Sequence, residues 1–474
     1  MSPVNLSDVV KAYDIRGLVP EQLDARVARA LGSAFAQVVA LPEGEEGVVV
    51  GHDMRESSPE LARAFAAGVV GSGLDVTMIG LCSTDGLYHA SGSLDRAGAM
   101  FTASHNPAGY NGIKLCRRGA RPVGQDSGLA EVRDLAQWLL DRGGLHDLRQ
   151  PGRPGQITET DLLADYAAYL RSLVDLRGHR PLRVVVDAGN GMAGLTVPAV
   201  LGTGDLPLEI VPLYFELDGT FPHHEANPLV PENLVDLQAA VLEHGADLGL
   251  AFDGDADRCF FVDERGEVVD PSTVTALVAD REIAKEVADG RDAGEVAVVH
   301  GAIVSRAVPE TIARAGARAV RTRVGHSFVK AVMAEHEAVF GGEHSAHYYF
   351  RDFWYADTGL LAALHVLAAL GEQDRPLSEL ASGYGRYVAS GEINSTVADA
   401  GAATARARAW AEEQGAVADT LDGITMTREG EPMWWFSLRP SNTEPLLRLN
   451  VESDDRATME EVRDTVLRLV RQES

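Results

Sequence analysis

Short apolar runs, each followed by helix-period segments and a polar turn, recur along most of this chain. Val-rich runs at Gly47–His52 (GVVVGH), Arg183–Asp187 (RVVVD) and Glu295–His300 (EVAVVH) lack apolar–polar alternation, as expected of central parallel strands covered on both faces. Each is followed by a helical stretch and a second strand, at Asp75–Leu81, Leu208–Phe215 and Ala319–Val324. A further helical stretch leads to a third strand, at Gly98–Phe101, Asp247–Phe252 and Ala338–Phe340. Directly after each third strand stands a polar loop: Thr102–Pro107 (TASHNP), Asp253–Arg258 (DGDADR) and Gly342–His347 (GEHSAH). The repeated βαβαβ pattern predicts three related α/β domains with mixed, largely parallel sheets. Loops at the carboxyl ends of parallel strands are where such sheets place ligands, so domain packing is expected to bring the three loops to one cleft.

The tail has a different rhythm. From about Gly391 it reads as a helix, then strands near Gly423–Arg428 and Met433–Leu438. The loop Arg439–Pro445 (RPSNTEP), a strand Leu446–Glu452 and a helix Asp455–Arg471 opening on an Asp cap follow. Short strands joined by tight turns predict a smaller α+β domain with an antiparallel sheet. The expected domains are residues 1–152, 153–264, 265–384 and 385–474, with Ala381–Gly391 as a hinge.

Length supports this division, because 474 residues exceed what one hydrophobic core organises. Charge narrows the partners. A formal net charge of −28 disfavours nucleic acid and anionic membrane surfaces, and confines any anionic ligand to a locally basic cleft. The amino-terminal MSPVNLSDVVKAYDIRG has no basic-then-apolar signal pattern, and the apolar stretch near Leu360–Leu370 is too short to span a bilayer. Cys82, Cys116 and Cys259 are widely spaced without a CxxC, so reduced thiols and a cytoplasmic location are expected. Basic residues are nearly all Arg. The four lysines, Lys11, Lys114, Lys285 and Lys330, are therefore candidates for places where a compact ammonium is needed.

Chemistry concentrates in the loops. In an extended segment Asp253, Asp255 and Asp257 point to the same side, and three like charges that close call for a hard divalent cation. The spacing imitates the start of an EF-hand, with Glu264 at its last ligand position. Yet Arg258 stands where that loop needs Gly, and the flanks read as strands. A Mg²⁺ site with Arg258 beside it as a phosphate partner fits better. In TASHNP, Ser104 is a candidate nucleophile and His105 a base or donor, although no GxSxG elbow supports a lipase-like triad. Lys114, in NGIK, is a candidate acid/base of lowered pKa or a phosphate contact. In GEHSAH, Glu343, Ser345 and His347 alternate along one side, a set suited to sugar hydroxyls and to proton transfer or phosphate binding. A zinc reading of His344 and His347 lacks a matching ligand set. Arg439, Ser441, Asn442 and Thr443 gather donors around a tight turn, as an anion cradle requires.

Taken together, KAYDIRG (11–17), TASHNPAGYNGIK (102–114), DGDADR (253–258), VGHSFVK (324–330), GEHSAH (342–347) and RPSNTEP (439–445), in this order, closely resemble the α-D-phosphohexomutase superfamily. They resemble in particular the bacterial phosphomannomutase/phosphoglucomutase group, and the resemblance spans essentially the whole chain. It implies four domains around a central cleft, the first three sharing one α/β topology. It also implies that Ser104 carries a phosphoryl group, and that Asp253, Asp255 and Asp257 hold one Mg²⁺ with a phosphoserine oxygen completing the site. Glu343 and Ser345 would bind sugar hydroxyls, and Arg439, Ser441, Asn442 and Thr443 the phosphate not being transferred. Arg16, His105, Lys114, Arg258, His326 and His347 would line the reacting end, with Lys114 and the histidines as unranked candidates for the general base.

The expected activity is interconversion of hexose 6-phosphate and hexose 1-phosphate through a hexose 1,6-bisphosphate, which also serves as activator, in a monomer or homodimer. Phosphoglucosamine mutase and a metal-dependent sugar-phosphate phosphatase are the alternatives. His344 and Ala346 stand where better-known members have Met and Gly. SNTEP rather than SGTEP in the tail loop leans towards mannose and glucose phosphates.

Overall fold

The computed structural model describes residues 4–11, 13–142, 154–440 and 446–472. Both outer strands of the first Val-rich repeat form as expected. Gly47–His52 lies between Asp75–Leu81 and Ala97–Phe101, parallel to each. A strand that the apolar pattern did not announce, Tyr110–Arg117, returns antiparallel along Ala97–Phe101. This return closes TASHNP into a tight loop, with the Thr102 amide donating to the Gly112 carbonyl at 3.1 Å. Ile15–Leu18 adds antiparallel to its far side, and Ile157–Glu159 extends the other edge in parallel.

The second repeat has the same plan. Leu182–Asp187 lies between Leu208–Leu213 and Leu248–Phe252, parallel to both, and Cys259–Asp263 returns antiparallel with Phe252 opposite Cys259. DGDADR is therefore the turn between a central strand and its return. In the third repeat, Ala297–Gly301 pairs in parallel with Arg318–Thr322. The third strand there forms at Phe340–Gly342, later than Ala338–Phe340. Tyr348–Phe350 pairs antiparallel with Ala356–Asp357.

The chain divides into two compact units. One comprises Met1–Val269, Met333–Phe340 and Ser345–Leu380, the other Asp270–Val332, Gly341–His344 and Ala381–Ser474. In the first, helices Ala25–Phe35, Ser58–Gly71 and Leu129–Asp141 cover the sheet of the first repeat, burying Leu31, Phe35, Phe65, Val69 and Val132 against Val48, Val50 and Phe101. The Phe65 ring packs 5.8 Å from Phe35 and 5.5 Å from Phe101. Each such side chain contributes about 1.5–3 kcal/mol on leaving water. Helix Gly359–Gly371 is buried along its whole length, and no helix among the described residues is long and apolar enough to cross a membrane.

The tail of the second unit is an all-antiparallel sheet, as expected, in the order Val388–Thr396, Leu446–Ser453, Trp434–Pro440, Ile424–Arg428, Val417–Asp419. Helices Ala400–Glu413 and Arg456–Arg471 bury Ala403, Ala407, Val462 and Val466 against Phe436, Leu449 and Val451. Asp455 caps the second of these through the Thr458 amide. The expected helix forms at Ala400–Glu413, and the segment around Gly391 that leads into it is a strand. Val388–Thr396 is mostly half-exposed and broken by a bulge between Ala389 and Glu392, so the Gly at 391 marks an irregular edge strand.

His300, on the central strand of the third repeat, sets one pH limit on this fold. Burial lowers its pKa to about 4, only partly offset by its hydrogen bond to the Gly301 carbonyl, and Arg321 lowers it further. The unfolded chain therefore binds the extra proton first, and stability falls as pH drops from about 6.5 towards 4. Between pH 7.5 and pH 5, chemical denaturation should show the wild-type chain losing about 2 kcal/mol more than the His300→Gln variant loses.

Candidate functional site

In the first unit, two polar loops meet. Ser104 sits in TASHNP with φ of +49°, a left-handed backbone that a non-glycine residue adopts only under constraint. The constraint is visible on both sides of it. Its amide donates to Thr102 Oγ1 at 2.9 Å, and its carbonyl accepts from Arg55 Nη2 at 2.9 Å. Arg55, buried, also donates to the carbonyls of Asn106, Pro107 and Tyr110 at 2.6, 2.9 and 3.0 Å, and pairs with Asp53 at 3.3 Å. Arg16 holds the loop from another side, through the Ala103 carbonyl at 3.2 Å and the Asn106 side-chain oxygen, while Asp14 orients it at 2.7 Å.

The free end of Ser104 points at the carboxylates. Its Oγ donates to Asp253 Oδ2 at 2.8 Å. So close an approach needs Gly254, where a Cβ would come within 2.5 Å of the Ser104 carbonyl oxygen. Oxygen atoms of Asp253, Asp255 and Asp257 lie within 4.8 Å of one another, and all three residues are buried. Arg258 donates to Asp253 Oδ2 through Nη2 at 2.7 Å and Nε at 3.0 Å, and reaches Ser104 Oγ at 3.3 Å. Lys114, on the return strand, donates to Asp255 Oδ2 at 2.6 Å and Asp257 Oδ2 at 2.5 Å.

These contacts sort the protons. Burial raises Asp253, reinforced by the neighbouring Asp257 and Asp255 charges and opposed by Arg258. Asp255 is held well below the usual carboxylate range, because Lys114 outweighs its burial and the Thr84 hydroxyl adds a hydrogen bond. Lys114 is correspondingly raised. The expectation of a lysine with lowered pKa is thus corrected: two carboxylates on one ammonium hold its proton.

The carboxylate set fits a cation. Asp255 Oδ1 and Asp257 Oδ1 are buried without a hydrogen-bond partner, and an all-oxygen donor set suits a hard divalent ion.

The two histidines beside it differ. His105 is driven well below its ordinary pKa by burial and by the Arg258 and Arg16 charges. Its Nδ1 lies 2.5 Å from Arg258 Nη2, so that nitrogen accepts and the ring is neutral. His347 is raised. Burial lowers it, but the Asp257 charge and the hydrogen bond and charge of Asp357 outweigh burial. Its Nδ1 is 2.9 Å from Asp357 Oδ2 and 4.0 Å from Asp257 Oδ1. Ser345, half-buried, stands two residues before it.

In the second unit, the other expected residues form a separate network. Glu343 Oε1 accepts from the Gly325 amide at 2.8 Å, just ahead of helix His326–His336. The Val324 amide donates to Asp422 Oδ2 at 3.1 Å. Arg439 Nε is 3.8 Å from the same oxygen, and its Nη2 donates to Glu392 at 3.3 Å. Glu343, the His326 segment and Arg439 thus share one chain of contacts. Ser441, Asn442 and Thr443 lie outside the described residues.

Arg55 and Asp357 were not foreseen. Arg55 stands in an unremarkable DMRESS segment, and its meaning lies in carbonyls of a loop about fifty residues away. Asp357 could have been found from YADTG, an acidic residue opening a helix soon after GEHSAH, but the imidazole it serves is fixed only by the hairpin between them.

A strained serine hydroxyl faces a cation-type carboxylate cluster, flanked by arginines and a carboxylate-backed imidazole, an arrangement chemically suited to phosphoryl transfer. Four profiles of one family match in order: phosphoglucomutase/phosphomannomutase α/β/α domains I, II and III at residues 7–137, 164–266 and 270–387, and the C-terminal domain at 392–469. A phosphohexose mutase of Xanthomonas campestris is 42% identical over 96% of each chain, and a phosphomannomutase of Salmonella typhimurium is 38% identical over 98% of each. The crystal structure of a phosphoglucomutase/phosphomannomutase family protein from Burkholderia thailandensis superimposes with a TM-score of 0.85, at 30% identity, over 98% of both chains. The chain belongs to the phosphoglucomutase/phosphomannomutase family and is a phosphohexomutase.

Because Arg55 satisfies four loop carbonyls from a buried position, Arg55→Met should strand them together with the Asp53 carboxylate. Urea unfolding is expected to show a loss of about 3–5 kcal/mol.

Proposed function

We propose that this phosphohexomutase interconverts mannose 6-phosphate and mannose 1-phosphate, with glucose phosphates as further substrates, through a phosphoserine at Ser104 and a hexose 1,6-bisphosphate. One observation carries the reading: the Ser104 hydroxyl is hydrogen-bonded to Asp253 inside the carboxylate cluster, with Arg258 3.3 Å away. The names of the relatives favour mannose, and the SNTEP tail loop leans towards mannose and glucose phosphates alike.

The chemistry follows from charge. The free hydroxyl of a hexose monophosphate attacks phosphorus, the phosphorus–Ser104 Oγ bond breaks, and Oγ departs with its developing charge beside Arg258. The hydroxyl proton goes to His347. Its Nδ1–H is engaged by Asp357, which leaves Nε2 to take the proton, while Lys114 and His105 are unsuited, the one held protonated and the other drawn into the Arg258 contact. The bisphosphate turns round, Ser104 Oγ accepts the other phosphoryl group, and His347 returns the proton. Asp253, Asp255 and Asp257, with an oxygen on Ser104, would hold one Mg²⁺, which supplies neutralisation of phosphoryl charge when bound. Glu343 and Ser345 would bind sugar hydroxyls, and Arg439 with Ser441, Asn442 and Thr443 the distal phosphate. Arg16, His105 and His326 complete the reacting end.

Intact mass of the purified protein should show a phosphoryl adduct that peptide mapping places on Ser104. Ser104→Ala should nearly abolish mutase turnover, and full activity in that variant would remove the assignment. His347→Asn is expected to lower kcat by about 10²–10⁴. With Mg²⁺ and bisphosphate activator, kcat/KM should rank mannose 1-phosphate and glucose 1-phosphate above glucosamine 1-phosphate. The reverse order would overturn the substrate reading.

A further inference from the structure

Behind the Asp357–His347 pair lies another buried carboxylate that the reaction does not use. Asp85 occupies the first turn of helix Thr84–Ser93 and has no exposed surface. Three hydroxyls donate to it: Ser83, Tyr166 at 2.6 Å from helix Leu163–Leu173, and Thr358 at 2.7 Å. Thr358 directly follows Asp357. It also caps the buried helix Gly359–Gly371, its Oγ1 accepting from the Leu361 amide at 3.2 Å.

The residue next to Asp85 reaches the other part of the site. Thr84 Oγ1 donates to Asp255 Oδ2 at 2.5 Å, and the Thr84 amide donates to the Asp255 carbonyl at 3.0 Å. One helical turn therefore touches a carboxylate of the cluster with one residue and the neighbour of the imidazole's partner with the next.

The segment leading to Asp357 needs such an anchor. Trp354 and Tyr355 have φ of +54° and +57°, consecutive left-handed residues with large side chains. Such a turn persists only where its surroundings over-determine it. Its first half is held by Trp354, which packs on Gly92, where a Cβ would meet the indole at 2.2 Å, and stacks on Tyr169. The Tyr169 hydroxyl donates to the Asp352 carbonyl at 2.5 Å. The second half is held by the Thr358–Asp85 hydrogen bond. A buried carboxylate whose three hydroxyl donors are all in place rigidifies its surroundings into one geometry.

We propose that Asp85 is a positioning residue for phosphoryl transfer: it fixes Thr358, and through it the Asp357 carboxylate and the ring of His347, from the same helical turn whose Thr84 fixes Asp255. The inference rests on the acid–base role proposed for His347.

The test is a double-mutant cycle on the full-length enzyme. Asp85→Asn and Thr358→Val should each lower kcat by about tenfold or more, with KM for the hexose phosphate changed by less than about twofold. Thr358→Ser, which keeps both hydrogen bonds, should restore kcat. In an Asp357→Asn background neither substitution should lower kcat further, because their effect passes through Asp357. Mn²⁺ affinity, read by calorimetry, should be unchanged in Thr358→Val, since the tie to Asp255 runs through Thr84. Additive losses in the Asp357→Asn background, or a fall in melting temperature with kcat intact, would overturn the proposal. If Asp357→Asn lowers kcat while Asp85→Asn and Thr358→Val do not, the positioning role alone fails. If Asp357→Asn leaves kcat untouched, the acid–base reading of His347 fails and this inference fails with it. Should Asp85→Asn not fold, Thr358→Val and Thr358→Ser carry the comparison.

Discussion

Asp253, Asp255 and Asp257 are all buried with oxygens within 4.8 Å of one another, and everything near the site follows from compensating that charge. Two like charges about 4 Å apart repel by about 4 kcal/mol at an effective dielectric of 20. The compensation comes from two places. Arg258 closes the acidic loop itself, while Lys114 arrives on the return strand of the first repeat. The first and second repeats therefore dock through the same contacts that build the site. Gly254 under the Ser104 carbonyl, Thr84 on Asp255 and the Arg55 guanidinium over the Phe221 ring at 5.1 Å all belong to that joint. A cation in the cluster would complete a balance that the two basic residues only begin.

The same field divides the histidines. His105 lies on the side of the arginines, which keep it neutral and make it an acceptor. His347 lies on the side of Asp257 and Asp357, which favour its charged form. Two imidazoles within reach of one carboxylate cluster thus acquire opposite tendencies from their neighbours alone, the pattern by which sites separate a proton carrier from a fixed polar contact. Lys114 keeps its proton on account of the two carboxylates it pairs with.

Much of this was legible in the chain. The Val-rich runs placed Gly47–His52 and Asp75–Leu81 correctly, because a strand covered on both faces leaves an unbroken apolar signature. The polar loops were legible because three alternating carboxylates or a Ser-His pair after such a strand are chemically conspicuous. Tyr110–Arg117 was missed because its residues mix Asn, Gly and Lys with Ile and Leu, and its strand character comes from pairing on both sides. Val388–Thr396 was missed because a half-exposed, bulged edge strand has no apolar period to read. Arg55 and Asp85 contact partners distant in sequence, and Asp357 one across a hairpin, so the local sequence does not show what any of them touches.

The strain in the loops has a related origin. Ser104, Ala256 and Ala346, one in each repeat's polar loop, are non-glycine residues with φ of +49°, +60° and +63°. A left-handed conformation costs an L-residue about 1–2 kcal/mol, so glycine would be the cheaper choice at the two alanines. At Ser104 glycine would remove the hydroxyl that donates to Asp253. There the amide is bound by Thr102 and the carbonyl by Arg55, so the backbone has no second place to go. The side chain alone is left to choose, and within its reach are Asp253 and Arg258. The strain is thus the consequence of holding Ser104 by its main chain, which leaves Oγ as the one polar group of the residue that the loop does not hold.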